Sequence, residues 1–256
     1  MSEALLSIAA LHHWFGGLHV IDGVGFSCER GKVMAIIGPN GAGKTTLFNL
    51  VAGSLSPAAG SITFDGKQIA GAPAHRIAAL GIARTFQATR LFPRMTVLEN
   101  VMVGRHLRAR GSFLRDLGGR LFNGREDESM RSSSMDILEA LSLADLAERQ
   151  AKDLPFGRQR VVEIARALAA EPALLLLDEP ACGLNPSETE EMAGRITAIR
   201  DRGITVLIVE HDMSLVMGIS DRVVVLSYGR LIAEGTPREV QANEDVVAVY
   251  LGTANA

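Results

Sequence analysis

Short unbroken apolar runs punctuate the chain, and stretches with apolar positions at helical spacing separate them. Val33–Ile37 reads as a strand buried on both faces, and Lys44–Ala52 as the helix that follows it. Ser61–Phe64 and Ile82–Phe86 read as further strands. Leu174–Leu177, Thr205–Val209, Val223–Leu226 and Leu231–Ala233 complete the set. Strands and helices in alternation predict an α/β domain with a mainly parallel sheet. Between Arg90 and Pro155 the strand signals vanish and helical periodicity takes over. One sheet domain over residues 1–256, with a helical subdomain inserted at about 90–157, is the expected organisation. No internal repeat stands out.

Gly104–Arg131 is the least regular stretch, with seven arginines against four acids. Phe113, Leu114, Leu117, Leu121 and Phe122 fall at helical spacing there. Gly118 and Gly119 weaken such a helix by roughly 2 kcal/mol. The segment reads either as an accessory element near lipid headgroups or a membrane partner, or as a solvated insertion.

Composition narrows the class. The chain is 47% hydrophobic and 21% charged, a globular balance, with a formal net charge of -3. That charge disfavours nucleic acid as a main partner. Cys28 and Cys182 lie far apart and offer neither metal-ligand spacing nor a disulfide framework, which suits a reducing compartment. Met1–Ala10 lacks a basic segment followed by a long apolar core, so no signal peptide is expected. No apolar run approaches the length of about 18 residues that crosses a bilayer.

The candidate chemistry clusters at strand ends. Gly38-Pro39-Asn40-Gly41-Ala42-Gly43-Lys44-Thr45, followed by Thr46, has the spacing G-x-x-x-x-G-K-[ST]. Its glycines let backbone N–H groups turn in on phosphate oxygens. Lys44 reaches the outer phosphates, and the Thr45 hydroxyl suits Mg²⁺. A strand before and a helix after satisfy the required context. Leu174–Leu177 leads into Asp178 and Glu179 at the carboxyl edge, where such phosphates would sit. Asp178 suits the Mg²⁺ shell, and Glu179 a base that polarises the attacking water. An acidic helix cap before Pro180 is the plainer reading of the pair. Thr205–Val209 ends in Glu210-His211-Asp212, which sets His211 at the same edge to touch the γ-phosphate. Gln87 follows the Ile82–Phe86 run, and its amide can reach both Mg²⁺ and water. Leu154-Pro155-Phe156-Gly157-Arg158-Gln159-Arg160 opens a helix at Val161–Ala170, a weak anion-site signal when taken alone.

Taken in order, the phosphate loop, Gln87, the segment at Gly157, the Asp-Glu strand end and the His strand end resemble the ABC ATPases along essentially the whole chain. The resemblance implies that family's fold, with an antiparallel β region at the N-terminus. It implies two subunits, identical or related, sandwiching two ATP molecules head to tail. The signature Pro155, Phe156, Gly157, Arg158 and Gln159 then acts on the partner's nucleotide, and Asn185 lies in the loop at the dimer contact. Phe15 matches the aromatic that stacks on adenine, with Val20 beside it, although an ordinary apolar residue near the first strand is an alternative for Phe15.

Ala83-Arg84-Thr85-Phe86-Gln87 and Ala181-Cys182-Gly183-Leu184-Asn185-Pro186 are closer still to the ATPases of branched-chain amino acid importers of the LivG type. So are Val209–Met213 and Val249–Gly252. This implies ATP and Mg²⁺ as cofactors, a second ATPase subunit, two membrane permeases and, indirectly, a solute-binding protein. It also implies a peripheral place on the cytoplasmic face of the cell membrane. Urea or amide import, lipopolysaccharide transport and a soluble non-transport role are the alternatives. Departures stand out. Pro155, Phe156, Gly157 and Arg158 stand where Ser-Gly-Gly-Gln is common, so the signature serine is absent, and Asn185 replaces an aspartate. Arg158 either compensates in part for the serine, faces solvent, or pairs with an acid such as Glu163.

Overall fold

A computed structural model describes residues 4–87, 90–105 and 124–252. Two compact units divide the chain, residues 1–87 with 173–256, and residues 88–172.

The first unit holds two sheets. The chain opens with a hairpin of β1 (Ala4–Phe15) and β2 (Leu18–Glu29). With β4 (Ala59–Phe64) and β5 (Lys67–Gln68) they form an antiparallel sheet in the order β2-β1-β4-β5. The second sheet is built from β3 (Val33–Ile37), β6 (Ile82–Arg84), β7 (Leu174–Asp178), β8 (Thr205–Val209), β9 (Arg222–Ser227) and β10 (Arg230–Gly235). Its order is β10-β9-β3-β8-β7-β6, parallel throughout except for β10 against β9. Every residue of β3, β7 and β8 is buried, which is why these strands read as continuous apolar runs. Because they run parallel, the loops after β3, β6, β7 and β8 all leave from one edge.

Helix α1 (Lys44–Val51) follows β3 and buries Leu47, Phe48, Leu50 and Val51. One core cluster joins that face to Leu6, Ile8 and Phe64 of the antiparallel sheet and to Ile36, Leu176 and Leu207 of the parallel one. A short α2 (Ala74–Ala79) lies between β5 and β6.

The run expected to stay extended through Phe86 leaves the ladder after Arg84. Thr85 still donates its N–H to Leu176 O at 2.9 Å, and Phe86 and Gln87 then turn out of the sheet. Beyond β7 come α6 (Pro186–Asp201), α7 (Met213–Ile219), α8 (Pro237–Gln241) and α9 (Glu244–Gly252).

The second unit is helical among its described residues and reaches on through Pro172, beyond the expected boundary at 157. It contains α3 (Val97–Arg105), α4 (Gly124–Ala140) and α5 (Phe156–Leu168). A reciprocal cap starts α3: Thr96 N–H donates to Glu99 at 2.7 Å, and Glu99 N–H to the Thr96 hydroxyl at 3.1 Å. Asn100 is fully buried and closes the loop before α3 by bonding Phe92 N–H at 2.8 Å and Phe92 O at 3.1 Å. At Gly104 a Cβ would lie 2.0 Å from Arg166 O, so only glycine lets α3 run this close to α5. The helix expected around Phe113–Phe122 lies outside the described residues.

Candidate functional site

Residues 38–43 form the turn between β3 and α1. Gly38 has φ +149°, and a Cβ there would meet Leu226 O of β9 at 2.1 Å. Gly43 has φ +98°, and a Cβ would meet Val20 O of β2 at 2.8 Å. Both positions therefore need glycine for backbone reasons and for space. Ala42 N–H bonds back to Pro39 O at 3.2 Å, and Asn40 and Gly41 stay exposed at the tip of the turn. No side chain caps the start of α1 and no acid lies in its first turn, which begins Lys44-Thr45-Thr46. The positive end of the helix and its N–H groups thus face the loop without a counter-charge on the helix itself.

Lys44 is buried, and its ammonium donates to Gly38 O at 2.7 Å and Pro39 O at 3.0 Å. Burial lowers its pKa, while Glu179 and Asp178 push the other way. Those two carboxylates are the neighbouring acids the lysine senses. The sheet edge has brought phosphate-loop lysine and strand-end acids into one electrostatic neighbourhood.

Asp178 ends β7 with its side chain only 4% exposed. Arg84 of β6 donates from Nη2 to Asp178 Oδ2 at 2.8 Å and from Nη1 to Asn49 Oδ1 at 2.6 Å. The guanidinium also lies 5.8 Å from the Phe48 ring centre and 5.4 Å from that of Phe86. The next residue, Glu179, has φ +47°, a left-handed conformation that a branchless glycine would adopt at less cost. Its N–H bonds Val209 O at 2.9 Å, and Gln87 Nε2 donates to its Oε2 at 2.8 Å. The turned backbone swings Glu179 off the strand line toward the glutamine.

At the end of β8, Glu210 is 1% exposed and receives three backbone N–H groups. Ala181 donates to Oε1 at 2.8 Å; His211 and Asp212 donate to Oε2 at 2.9 and 3.3 Å. One buried carboxylate thus fastens the loop after Glu179 to the loop carrying His211. The His211 ring itself stands out from the surface, 64% exposed. Asp212 turns away to cap α7 through the N–H groups of Ser214 and Leu215.

The other expected residues fall as follows. Phe15 is 50% exposed at the β1–β2 turn, edge-on to His13, and Val20 is half-buried beside the Gly43 backbone. Asn185 forms the N-cap of α6, accepting from Glu188 N–H at 3.0 Å while Glu188 reciprocates. Pro155, Phe156, Gly157, Arg158 and Gln159 lie in the helical unit, where Pro155 caps α5 without any side-chain bond. Gln159 Nε2 donates to Leu154 O at 2.9 Å, and Arg158 Nη1 reaches Ser142 O at 3.5 Å. Glu163 turns instead to Arg160 at 3.6 Å, Arg166 at 3.7 Å and the N–H of Arg90 at 2.7 Å. Burial raises its pKa against the pull of these donors.

Three residues of the site were not singled out from sequence for a role. Arg84 carried a signal, a charge inside a short buried strand; Glu210 carried another, an acid directly before His211. Tyr250 of α9 gave none that spacing could reveal: a Gly38 backbone hydrogen bond holds its hydroxyl at the phosphate loop, and burial raises its pKa.

Known proteins match this arrangement along its length. The family model described as ABC transporter matches residues 21–182, and one described as branched-chain amino acid ATP-binding cassette transporter matches 230–256. The high-affinity branched-chain amino acid transport ATP-binding protein BraF of Pseudomonas aeruginosa is 43% identical over 99% of this chain and 100% of its own length. LivG of Escherichia coli K12, of the same description, is 43% identical with the same coverage. A solved ATP-binding cassette of an ABC transporter in its ADP conformation is 34% identical, with TM-score 0.86 over 98% of this chain and 100% of that one. A family model over residues 21–182 and relatives 43% identical over nearly their whole length show that the chain belongs to the ABC transporter family as an ATP-binding cassette.

Proposed function

We propose that this chain binds and hydrolyses ATP to drive an importer of branched-chain or closely related amino acids. The observation that carries the reading is the convergence of Lys44, Asp178, Glu179, Gln87 and His211 on one edge of a parallel sheet, with Gln87 holding Glu179 at 2.8 Å. The loop N–H groups and Lys44 bind the phosphates of ATP, and Lys44 gives up its loop carbonyls for phosphate oxygens. The Thr45 hydroxyl, the Asp178 carboxylate and the Gln87 amide oxygen make an all-oxygen set, which fits a hard cation such as Mg²⁺. When bound, Mg²⁺ neutralises charge on the outer phosphates. Glu179, held by Gln87, orients the attacking water and accepts its proton. His211 donates toward the γ-phosphate, and Phe15 with Val20 holds adenine.

A second ATPase subunit, identical or related, supplies the signature to the nucleotide. Pro155 has no N–H to give, so Gly157 N–H and the side chains of Arg158 and Gln159 are the donors there. Two permease subunits provide the pathway, with a solute-binding protein feeding it and this chain lying against the cytoplasmic face of the membrane. The names of the relatives support the substrate class.

The test is transport. The chain, co-expressed with its permeases and partner ATPase in vesicles, should drive ATP-dependent leucine uptake, and Lys44→Ala should abolish both uptake and ATP turnover. Leucine uptake that persists at the wild-type rate with Lys44→Ala would rule the reading out.

A further inference from the structure

The β1–β2 hairpin carries a side-chain cluster that nucleotide chemistry does not use. His12 lies opposite Asp22 in the strand register, and Trp14 opposite His19. His12 Nδ1 stands 3.2 Å from His19 Nε2 and 3.5 Å from Asp22 Oδ1, and His19 Nδ1 stands 3.7 Å from that same oxygen. One ligand atom from each of the three lies within 4.8 Å of the others. We propose that His12, His19 and Asp22 form a binding site for a divalent first-row transition-metal ion of the zinc type.

The spacing is what such an ion requires. Bonds of about 2.0–2.2 Å in tetrahedral geometry separate neighbouring ligand atoms by about 3.3–3.5 Å. The His12 Nδ1–His19 Nε2 and His12 Nδ1–Asp22 Oδ1 separations match that edge, and a single ligand atom from each residue keeps all three within 4.8 Å, close enough for small side-chain rotations to complete the set. The three side chains are 28%, 31% and 23% exposed, so an ion can enter and keep water at its fourth position. Gly23 N–H also approaches His12 Nδ1, at 3.2 Å, a long bond that a metal ion outcompetes.

The surroundings orient the ligands as outer partners do in metal sites. Arg230 donates from Nε to the other Asp22 oxygen, Oδ2, at 2.6 Å. That bond fixes the carboxylate and holds its pKa below the ordinary value. Trp14 lies nearly parallel to both imidazoles, 8° from His12 and 12° from His19, with its centre 4.2 Å from that of His19. The rings are therefore set before any ion arrives. The donor set decides the class. Two imidazoles and one carboxylate suit zinc, copper or nickel, whereas magnesium and calcium need more oxygens. Arg230 offsets the charge of Asp22 and further disfavours a purely electrostatic cation.

An ion here would fasten β1 to β2 just below the turn that carries Phe15. Asp22 N–H also bonds Gly229 O at 2.8 Å, and Gly229 N–H bonds Ala42 O of the phosphate loop at 3.1 Å. The cluster thus sits one backbone step from that loop while standing apart from its chemistry.

The experiment uses the full-length, tag-free chain without nucleotide, so its outcome is independent of the ATPase reading. Zinc is titrated against a chromophoric chelator, and cobalt is added separately for its visible spectrum. One saturable site of micromolar order is expected, unchanged by millimolar magnesium, with a tetrahedral cobalt band. His12→Ala, His19→Ala and Asp22→Asn should each weaken it at least tenfold, while His13→Ala should not; His13 bonds Ser56 O on the other side of the strand. Because a hairpin variant can lose its fold, zinc protection of His12 and His19 against acylation in the wild-type chain gives a second readout. The proposal is overturned by wild-type zinc affinity in the His12→Ala/His19→Ala double variant, by dependence on one histidine alone, or by no saturable binding below about 0.1 mM. The last result would leave the three residues as a hydrogen-bonded network only.

Discussion

The two sheets of the first unit place side-chain chemistry by different means. In the six-stranded sheet β3, β7 and β8 are buried along their whole length, so their faces hold only apolar contacts and polar groups appear at strand ends. Parallel topology then gathers Gly38–Lys44, Asp178, Glu179 and His211 on one edge. In the hairpin sheet burial varies residue by residue, with register shifts at Ile8/Leu11 and His13/Trp14. There the polar groups lie along the strand faces, as with His12 and Asp22. Chemistry at a parallel edge is dictated by topology, whereas chemistry on a hairpin is set by the particular side chains that register brings across.

The edge should break most severely at its base. If Glu179 accepts the proton as proposed, Glu179→Gln, which keeps the shape beside Gln87, should lower single-turnover hydrolysis by about 10²–10⁴ while ATP affinity holds. Retained turnover would mean that another group accepts the proton.

Arg84→Met tests whether the edge depends on a buried charge. It strips the guanidinium from Asp178, whose side chain is 4% exposed, and leaves that carboxylate unpaired. A loss of about 3 kcal/mol in unfolding free energy is expected, read by chemical denaturation. Arg84→Met together with Asp178→Asn should recover part of that loss but not activity. If the double variant is as unstable as the single one, Arg84 matters through Phe48 and Phe86 rather than through Asp178.

This contrast also explains what could be read from the chain. β3, β7 and β8 announced themselves because strands buried on both faces are continuous apolar words, and β3 and β8 were placed to the residue. The glycine spacing and the Asp-Glu strand end were legible for the same reason, since both are local. The twelve-residue β1 does not show as an apolar run, and only the family resemblance implies an antiparallel β region there: its burial pattern follows no clean alternation, and Ala10 turns to φ +44°. Partnerships across the sequence were silent. Arg84 with Asp178, Glu210 with Ala181 N–H and Tyr250 with the Gly38 backbone each join residues dozens to hundreds of positions apart. The left-handed turn at Glu179 was equally hidden, because glutamate gives no compositional hint of positive φ. An Arg158–Glu163 pair is one option the sequence leaves open, and in the fold Arg160, Arg166 and the Arg90 N–H take the acid instead.

Glu210→Gln sharpens the edge at finer scale. The carboxylate meets N–H donors on both oxygens, and an amide would turn its own NH₂ group against one of them. Destabilisation of about 2 kcal/mol is expected. Turnover should fall with it at unchanged ATP affinity, since the loops after Glu179 and before Asp212 lose their common anchor. Unchanged turnover in a destabilised variant would make Glu210 a structural brace only.

The smallest effect belongs to the hairpin, and it tests the proposal that one of its two aromatic faces, the one with Phe15, meets adenine. Alternation along β1 puts His13 and Phe15 on one side and His12 and Trp14 on the other. Ring geometry agrees: Phe15 lies edge-on to His13 at 4.7 Å and 81°, while Trp14 lies flat against His19 at 4.2 Å. One face of Trp14 is already covered by the His19 imidazole. Phe15 is 50% exposed, and its only ring partner among the described residues stands perpendicular to it, so a ring face remains for a base. Stacking of this kind is worth about 1 kcal/mol, so Phe15→Ala should weaken ATP binding about fivefold. Phe15→Tyr should restore it, and Trp14→Ala should leave it nearly unchanged. Equilibrium binding of a fluorescent ATP analogue resolves these differences. A larger loss from Trp14→Ala than from Phe15→Ala would move adenine to the opposite face of the hairpin, beside His12, His19 and Asp22.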